Sequence, residues 1–147
     1  ISTLLQNAET IKLVSPDGRV GRVTDLKGGD GGLVRGEERA RAFLHRAVEL
    51  DAWVEVPVVE LAETTRGTNR DAAVNRVVKA VGAVPDTPEK VGRRAGALLG
   101  RSTGRGVADA LVVAHAVEAG GGLILTSDPG DLRALASGHP GVWVESV

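Results

Sequence analysis

The chain has no cysteine, which excludes a disulfide framework and any thiolate-held metal site and fits a reducing compartment. No apolar run approaches the ~20 residues that cross a bilayer, and no signal-peptide pattern opens the chain at Ile1, so the expectation is a cytoplasmic protein with no membrane partner. Charge of one sign is also missing. Eighteen Lys and Arg against nineteen Asp and Glu leave a formal charge of −1, so no global field draws the chain to nucleic acid, and a polyanion would have to meet a local patch. Two Trp are too few to argue for base stacking. Fourteen of the eighteen cations are Arg, which suits phosphate, but a GC-rich coding bias produces the same excess.

What is present fits one domain of 147 residues with a change of texture near Glu37. Residues 1–36 form an atypical amino-terminal segment. TIKLVSPDGRVGRV carries a turn signal, Ser15-Pro16-Asp17-Gly18, between two β-prone stretches, and DLKGGDGGLVRG is too glycine-rich for a regular element. That run is no nucleotide loop, because no Lys-Ser or Lys-Thr follows it and the strand–GxGxxG–helix order is missing. Residues 37–147 read as the domain body. Ala40, Phe43, Leu44, Ala47 and Val48 repeat at helical spacing, and Ala52, Val54, Val56 and Val58 alternate as a strand. Pro57 is placed to open a helix, and Val74, Val77, Val78 and Val81 form another apolar stripe. In DTPEKVGRRAGALLG, Thr87, Pro88 and Glu89 mark a helix start and Gly100 its end. VADALVVAHAVEAGGGLILTSDPGDLRAL then gives a helix from Val107 to Ala119, a strand from Gly122 to Asp128 and a short helix around Leu132–Leu135. Val142–Val147 closes as a strand. Alternating helices and short apolar strands predict an α/β fold, a three-layer α/β/α sandwich around a mostly parallel sheet.

The acids in this pattern are expected at one edge. A helix of thirteen residues rises about 20 Å and the seven-residue strand after it about 23 Å, so Asp109 and Asp128, nineteen positions apart, return to the same rim. Glu63 lies in the opening turns of the helix begun at Pro57, and Asp25 ends RVGRVTD, the early stretch that best fits a strand. Open α/β sheets bind ligands at that rim. Carboxylates that converge raise one another's pKa unless a cation intervenes, and an all-oxygen set selects Mg²⁺ or Mn²⁺, which can activate water against a phosphodiester.

Three stretches, VPVVELAETTRG around Glu63, STGRGVADALVVAHAVEAG around Asp109 and LILTSDPGDL around Asp128, resemble the PIN-domain ribonucleases, and more closely the toxin half of bacterial virulence-associated toxin–antitoxin pairs. The resemblance covers roughly residues 37–147. It implies a PIN-like sandwich and a metal-dependent endoribonuclease. Asp25, Glu63, Asp109 and Asp128 would be catalytic and hold Mg²⁺ or Mn²⁺ with Asp131. Thr126 would support the cluster. An RNA substrate, a cognate antitoxin and a homodimer are implied with it. Arg66 and Arg105 flank the rim and are the expected phosphate contacts. At the first acid the chain departs from the family pattern, because Leu26-Lys27-Gly28-Gly29 follows Asp25 where a helix should begin; Asp30 is the reserve candidate.

Each residue also has a plain structural reading. Asp109 is a first-turn acid suited to a helix dipole, and Asp128 and Asp131 are turn and N-cap chemistry. Glu63 can pair with Arg66, and His115 is off the Asp109 face and reads as a packing histidine. Against the nuclease expectation stands a catalytically inactive PIN-like protein-interaction module. A phosphotransfer receiver fits poorly, since VWVESV has no lysine near it.

Overall fold

The computed structural model describes residues 10–14, 42, 45, 53–72, 75, 78, 79, 84–126 and 128–146. In chain order these give β1 (Thr10–Val14), β2 (Trp53–Glu55), α1 (Val58–Thr64), one 3₁₀ turn (Asn69–Asp71), α2 (Glu89–Gly100), α3 (Val107–Glu118), β3 (Gly122–Thr126), α4 (Pro129–Ala136) and β4 (Val142–Ser146). Ala42, His45, Ala72, Asn75, Val78 and Lys79 are helical as well. The chain is α/β.

α2 and α3 build the core by different means. On α2 the buried residues Val91, Ala95 and Leu98 fall at i, i+4 and i+7, while Lys90, Arg93 and Arg94 take the outer face. α3 has no polar face over most of its length: Ala110, Val112, Val113, Ala114 and Ala116 are all buried, which is why it sits between α2, α4 and the sheet. Leu132, Leu135 and Ala136 of α4, Ile124 of β3 and Val142 of β4 close the same cluster. The helix boundaries follow the local signals. α1 starts directly after Pro57, α2 ends at Gly100 as expected, and α2 begins one residue after Pro88.

Two glycines make the turn from α3 into β3. Gly120 and Gly121 have φ of +84° and +118°, and the Gly121 N–H returns to the Ala116 carbonyl at 2.9 Å. A side chain at Gly121 would place its Cβ 2.6 Å from the Gly141 carbonyl oxygen, so this turn and the entry to β4 approach as closely as two backbones can.

The four strands lie in the order β2-β1-β3-β4. β3 and β4 pair in parallel, with α4 as the crossover, and the register sets Gly122 against Val142 and Thr126 against Ser146. β1 is antiparallel to both neighbours, Lys12 facing Glu55 on β2 and Ile124 on β3. Parallel pairing is thus found in the carboxyl-terminal pair, and β1 enters with the opposite sense. All five residues of β3 are buried. Ile124 packs into the helical cluster, while Leu123 and Leu125, which the pleat turns to the other face, are 4% and 1% exposed and lie outside that cluster. Both faces of β3 are therefore covered.

The turn signal and the second β-prone stretch of TIKLVSPDGRVGRV lie outside the described residues, as do Asp25, Asp30 and the glycine run. No helix among the described residues is long and apolar enough to cross a membrane.

Candidate functional site

The rim where β3 ends is built by three local signals. β3 stops at Thr126, whose side chain is 1% exposed and whose Oγ1 accepts the backbone N–H of Asp128 at 3.1 Å. Asp128 then stands in the N-cap position of α4, with Pro129 at the first helical position, and Asp131 follows in the first turn. α3 begins beside this point. Gly106 is its N-cap residue, and a Cβ there would lie 3.4 Å from Oδ2 of Asp109, so the Asp109 carboxylate folds back over the start of its own helix. Asp109, Thr126, Asp128 and Asp131 all occur at this end of β3, α3 and α4, as the strand and helix lengths predict.

What joins them is an arginine. Arg105, two residues ahead of α3, donates through Nη1 to Oδ1 of Asp131 in a short ion pair that ties the lead into α3 to the first turn of α4. Its Nε is buried and has no hydrogen-bond partner. The counter-charge beside Asp131 is thus supplied by the chain itself. Among the described residues no group of three or more His, Asp or Glu side chains is placed to hold a metal ion. The oxygen set named for Mg²⁺ or Mn²⁺ is therefore not assembled there, and Asp25, its fifth member, falls outside the described residues.

Glu63 is exposed on α1, and the inward-facing acid of that helix is Glu60, which is 2% exposed. Sequence reasoning missed Glu60 because Val58, Val59, Leu61 and Ala62 fall within about half the circumference of the helix and Glu60 falls on the polar remainder with Glu63 and Thr64, so periodicity assigns it to solvent. Arg66 is spent locally. Its Nη1 donates to the carbonyls of Thr65 at 2.6 Å and Ala62 at 3.3 Å, while its backbone N–H, with those of Gly67 and Thr68, is received by the Asp71 carboxylate. Arg66 closes the end of α1, and Arg105 is bound to Asp131. A second unforeseen contact links His115 of α3 to Glu55 of β2, Nε2 to Oε2 at 3.1 Å, with both side chains largely buried.

The amino-terminal third of the chain decides what it is similar to. A family model described as the 3-dehydroquinate synthase II C-terminal domain matches residues 1–55. The resemblance is to a synthase. The 3-dehydroquinate synthase of Methanothrix thermoacetophila is 63% identical over 43 residues, 29% of this chain and 12% of that protein. That of Archaeoglobus fulgidus is 51% identical over 53 residues, 36% of this chain and 16% of the relative, and that of Methanocaldococcus jannaschii is 56% identical over 43 residues, 29% and 12%. The matched part thus spans 12 to 16% of the length of these synthases. No solved structure matches the chain.

These matches correct the expectation of a PIN-domain ribonuclease. The relatives found are named 3-dehydroquinate synthase, so the reading as a Mg²⁺- or Mn²⁺-dependent endoribonuclease of toxin type is withdrawn, and the inactive PIN-like module has no support either. Physically, the quoted stretches were a pattern of helix starts, turns and rim acids that any α/β sheet produces. Here Asp109 lies in the first turn of α3, Asp128 takes the N-cap position of α4, Asp131 pairs with Arg105, and Glu63 faces outward. With the resemblance goes the ground for expecting RNA, a cognate antitoxin or a homodimer. The departure from the PIN pattern at the first acid also has its explanation: Asp25 and Asp30 lie inside the stretch that matches the synthase, which runs on past Glu37 to residue 55.

Proposed function

We propose that residues 1–55 do in this chain what the matching stretch does in a 3-dehydroquinate synthase, and that the chain takes part in forming 3-dehydroquinate through that segment. The observation that carries the reading is identity of 51 to 63% over 43 to 53 residues with three such synthases. β1 and β2 both fall in that segment, and β1 is the strand that fastens it to the rest of the sheet. Because the stretch is 12 to 16% of each relative, the property expected of it is ligand binding rather than complete turnover.

The test is a titration of the full chain with 3-dehydroquinate, followed by backbone amide chemical shifts. Saturable perturbations within residues 1–55 are expected. Perturbations confined to residues 56–147, or none up to millimolar ligand, overturn the reading.

The layering is read as a three-layer α/β/α sandwich, with α2, α3 and α4 on one face of the sheet and a further helical layer on the other. Burial of Leu123 and Leu125 on the face opposite Ile124 supports it.

A further inference from the structure

β4 is the outer strand of the sheet among the described residues. Such an edge offers a row of backbone groups to any strand that can align with it. The β3–β4 ladder opens with the Gly122 N–H donating to the Gly141 carbonyl, and the register then alternates. Backbone groups of Gly141, Trp143 and Glu145 face β3, and those of Val142, Val144 and Ser146 face outward. Two of these outward groups are engaged from within the chain. The Val142 N–H donates to the His139 carbonyl at 2.9 Å. The Val144 carbonyl accepts both Nε and Nη2 of Arg133, each at 3.4 Å. Arg133 is an exposed residue of α4, so its guanidinium reaches over the crossover to lie on the centre of the edge.

The strand under that guanidinium is complementary to itself. In an antiparallel pair centred on Val144, the two Val144 residues exchange both backbone bonds, Trp143 faces Glu145 of the second copy, and Val142 faces Ser146. No like charges oppose each other, VWVES contains neither Lys nor Pro, and Trp143 is 42% exposed. Nothing in the strand's own sequence resists pairing.

We propose that Arg133 holds the β4 edge closed, and that the surface it covers fits β4 of a second copy of this chain in antiparallel register about Val144. The guard acts by occupying the carbonyl that the second copy must use. It does not depend on the synthase reading, since β4 and α4 lie outside residues 1–55.

The experiment compares the full chain with Arg133→Gln and Arg133→Lys by sedimentation equilibrium across a concentration series. Far-UV circular dichroism establishes that each is folded, and both replacements are good helix formers at an exposed site. Arg133→Gln is expected to shift the monomer–dimer equilibrium about tenfold toward dimer, the scale of one hydrogen-bonding group, with Arg133→Lys in between. The second arm adds Val144→Pro. The Val144 N–H faces away from β3, so proline there spares the β3–β4 ladder and removes a donor only from the outer edge. The double variant Arg133→Gln/Val144→Pro should return to the monomer. An Arg133→Gln protein no more associated than the parent overturns the guard. A dimer that persists with Val144→Pro overturns the β4 surface.

Discussion

Gly121 shows how much one missing Cβ can decide. Its φ of +118° and the Gly141 carbonyl oxygen 2.6 Å from where a Cβ would stand are separate objections to any side chain. Gly120 has the first objection alone, with φ of +84° and open space around it. Gly120→Ala is therefore expected to cost about 1 kcal/mol and Gly121→Ala at least about 3 kcal/mol, because the latter must also push β4 away from the turn. Chemical denaturation of the two variants checks the order; equal losses would mean that the close approach is not maintained in solution. At this scale the sequence was legible where chemistry is local. Pro57 and Gly100 bound their helices as their stereochemistry requires, and the Thr126 hydroxyl receives the Asp128 N–H where β3 ends. Glu60 and the Glu55–His115 contact were not legible. One is an acid on the polar side of its helix that is nevertheless buried, the other depends on two residues sixty positions apart meeting.

Among elements, the starts of α3 and α4 are held together by Arg105 and Asp131, whose side chains are 34% and 40% exposed. At that exposure solvent screens most of the attraction. A double-mutant cycle with Arg105→Ala and Asp131→Ala is expected to give a coupling of about 0.2–1 kcal/mol, falling as salt is raised. A salt-independent coupling of several kcal/mol would mean that the pair is a buried strut instead. The elements themselves were the most readable level. α2, α3, β3 and β4 fall within two residues of the positions that periodicity gives them, since each has either a clean stripe or a continuous apolar run bounded by Gly or Pro. The sense of β1 was not readable. Strand direction follows from what a strand pairs with, and the turn signal after Val14 pointed to a neighbouring hairpin arm, whereas β1 pairs with β2 and β3.

The whole molecule divides unevenly. Every residue of the helical core cluster lies between Val91 and Val142, while the segment resembling the synthases contributes β1 and β2. The rim acids sit where periodicity is strong, whereas the first 36 of the 55 residues that match known proteins carry little of it, so a reading led by periodicity turns to the wrong part of the chain. β1 still lies inside the sheet, bonded on both sides. β1 pairs with β3, whose Ile124 packs into the helical cluster, so Leu13→Pro, which breaks the ladder in that inner strand, is expected to lower amide-exchange protection in β3 and in α2 and α3 alike. Unchanged protection in α2 and α3 would show that the helical core stands without the synthase-like segment.

The pairing of Thr10 with Thr126 joins positions 126 − 10 = 116 residues apart. On a ribosome adding about 5–20 residues per second, β1 is synthesised roughly 6 to 23 s before its partner on β3. During that interval β2, made 54 − 13 = 41 residues after Leu13, can pair with one edge of β1, while the edge that β3 fills stays open. Synthesis rate and early access to a holding chaperone thereby become determinants of yield, and slowing translation should raise the aggregated fraction more than it would for a chain whose neighbouring strands are made consecutively.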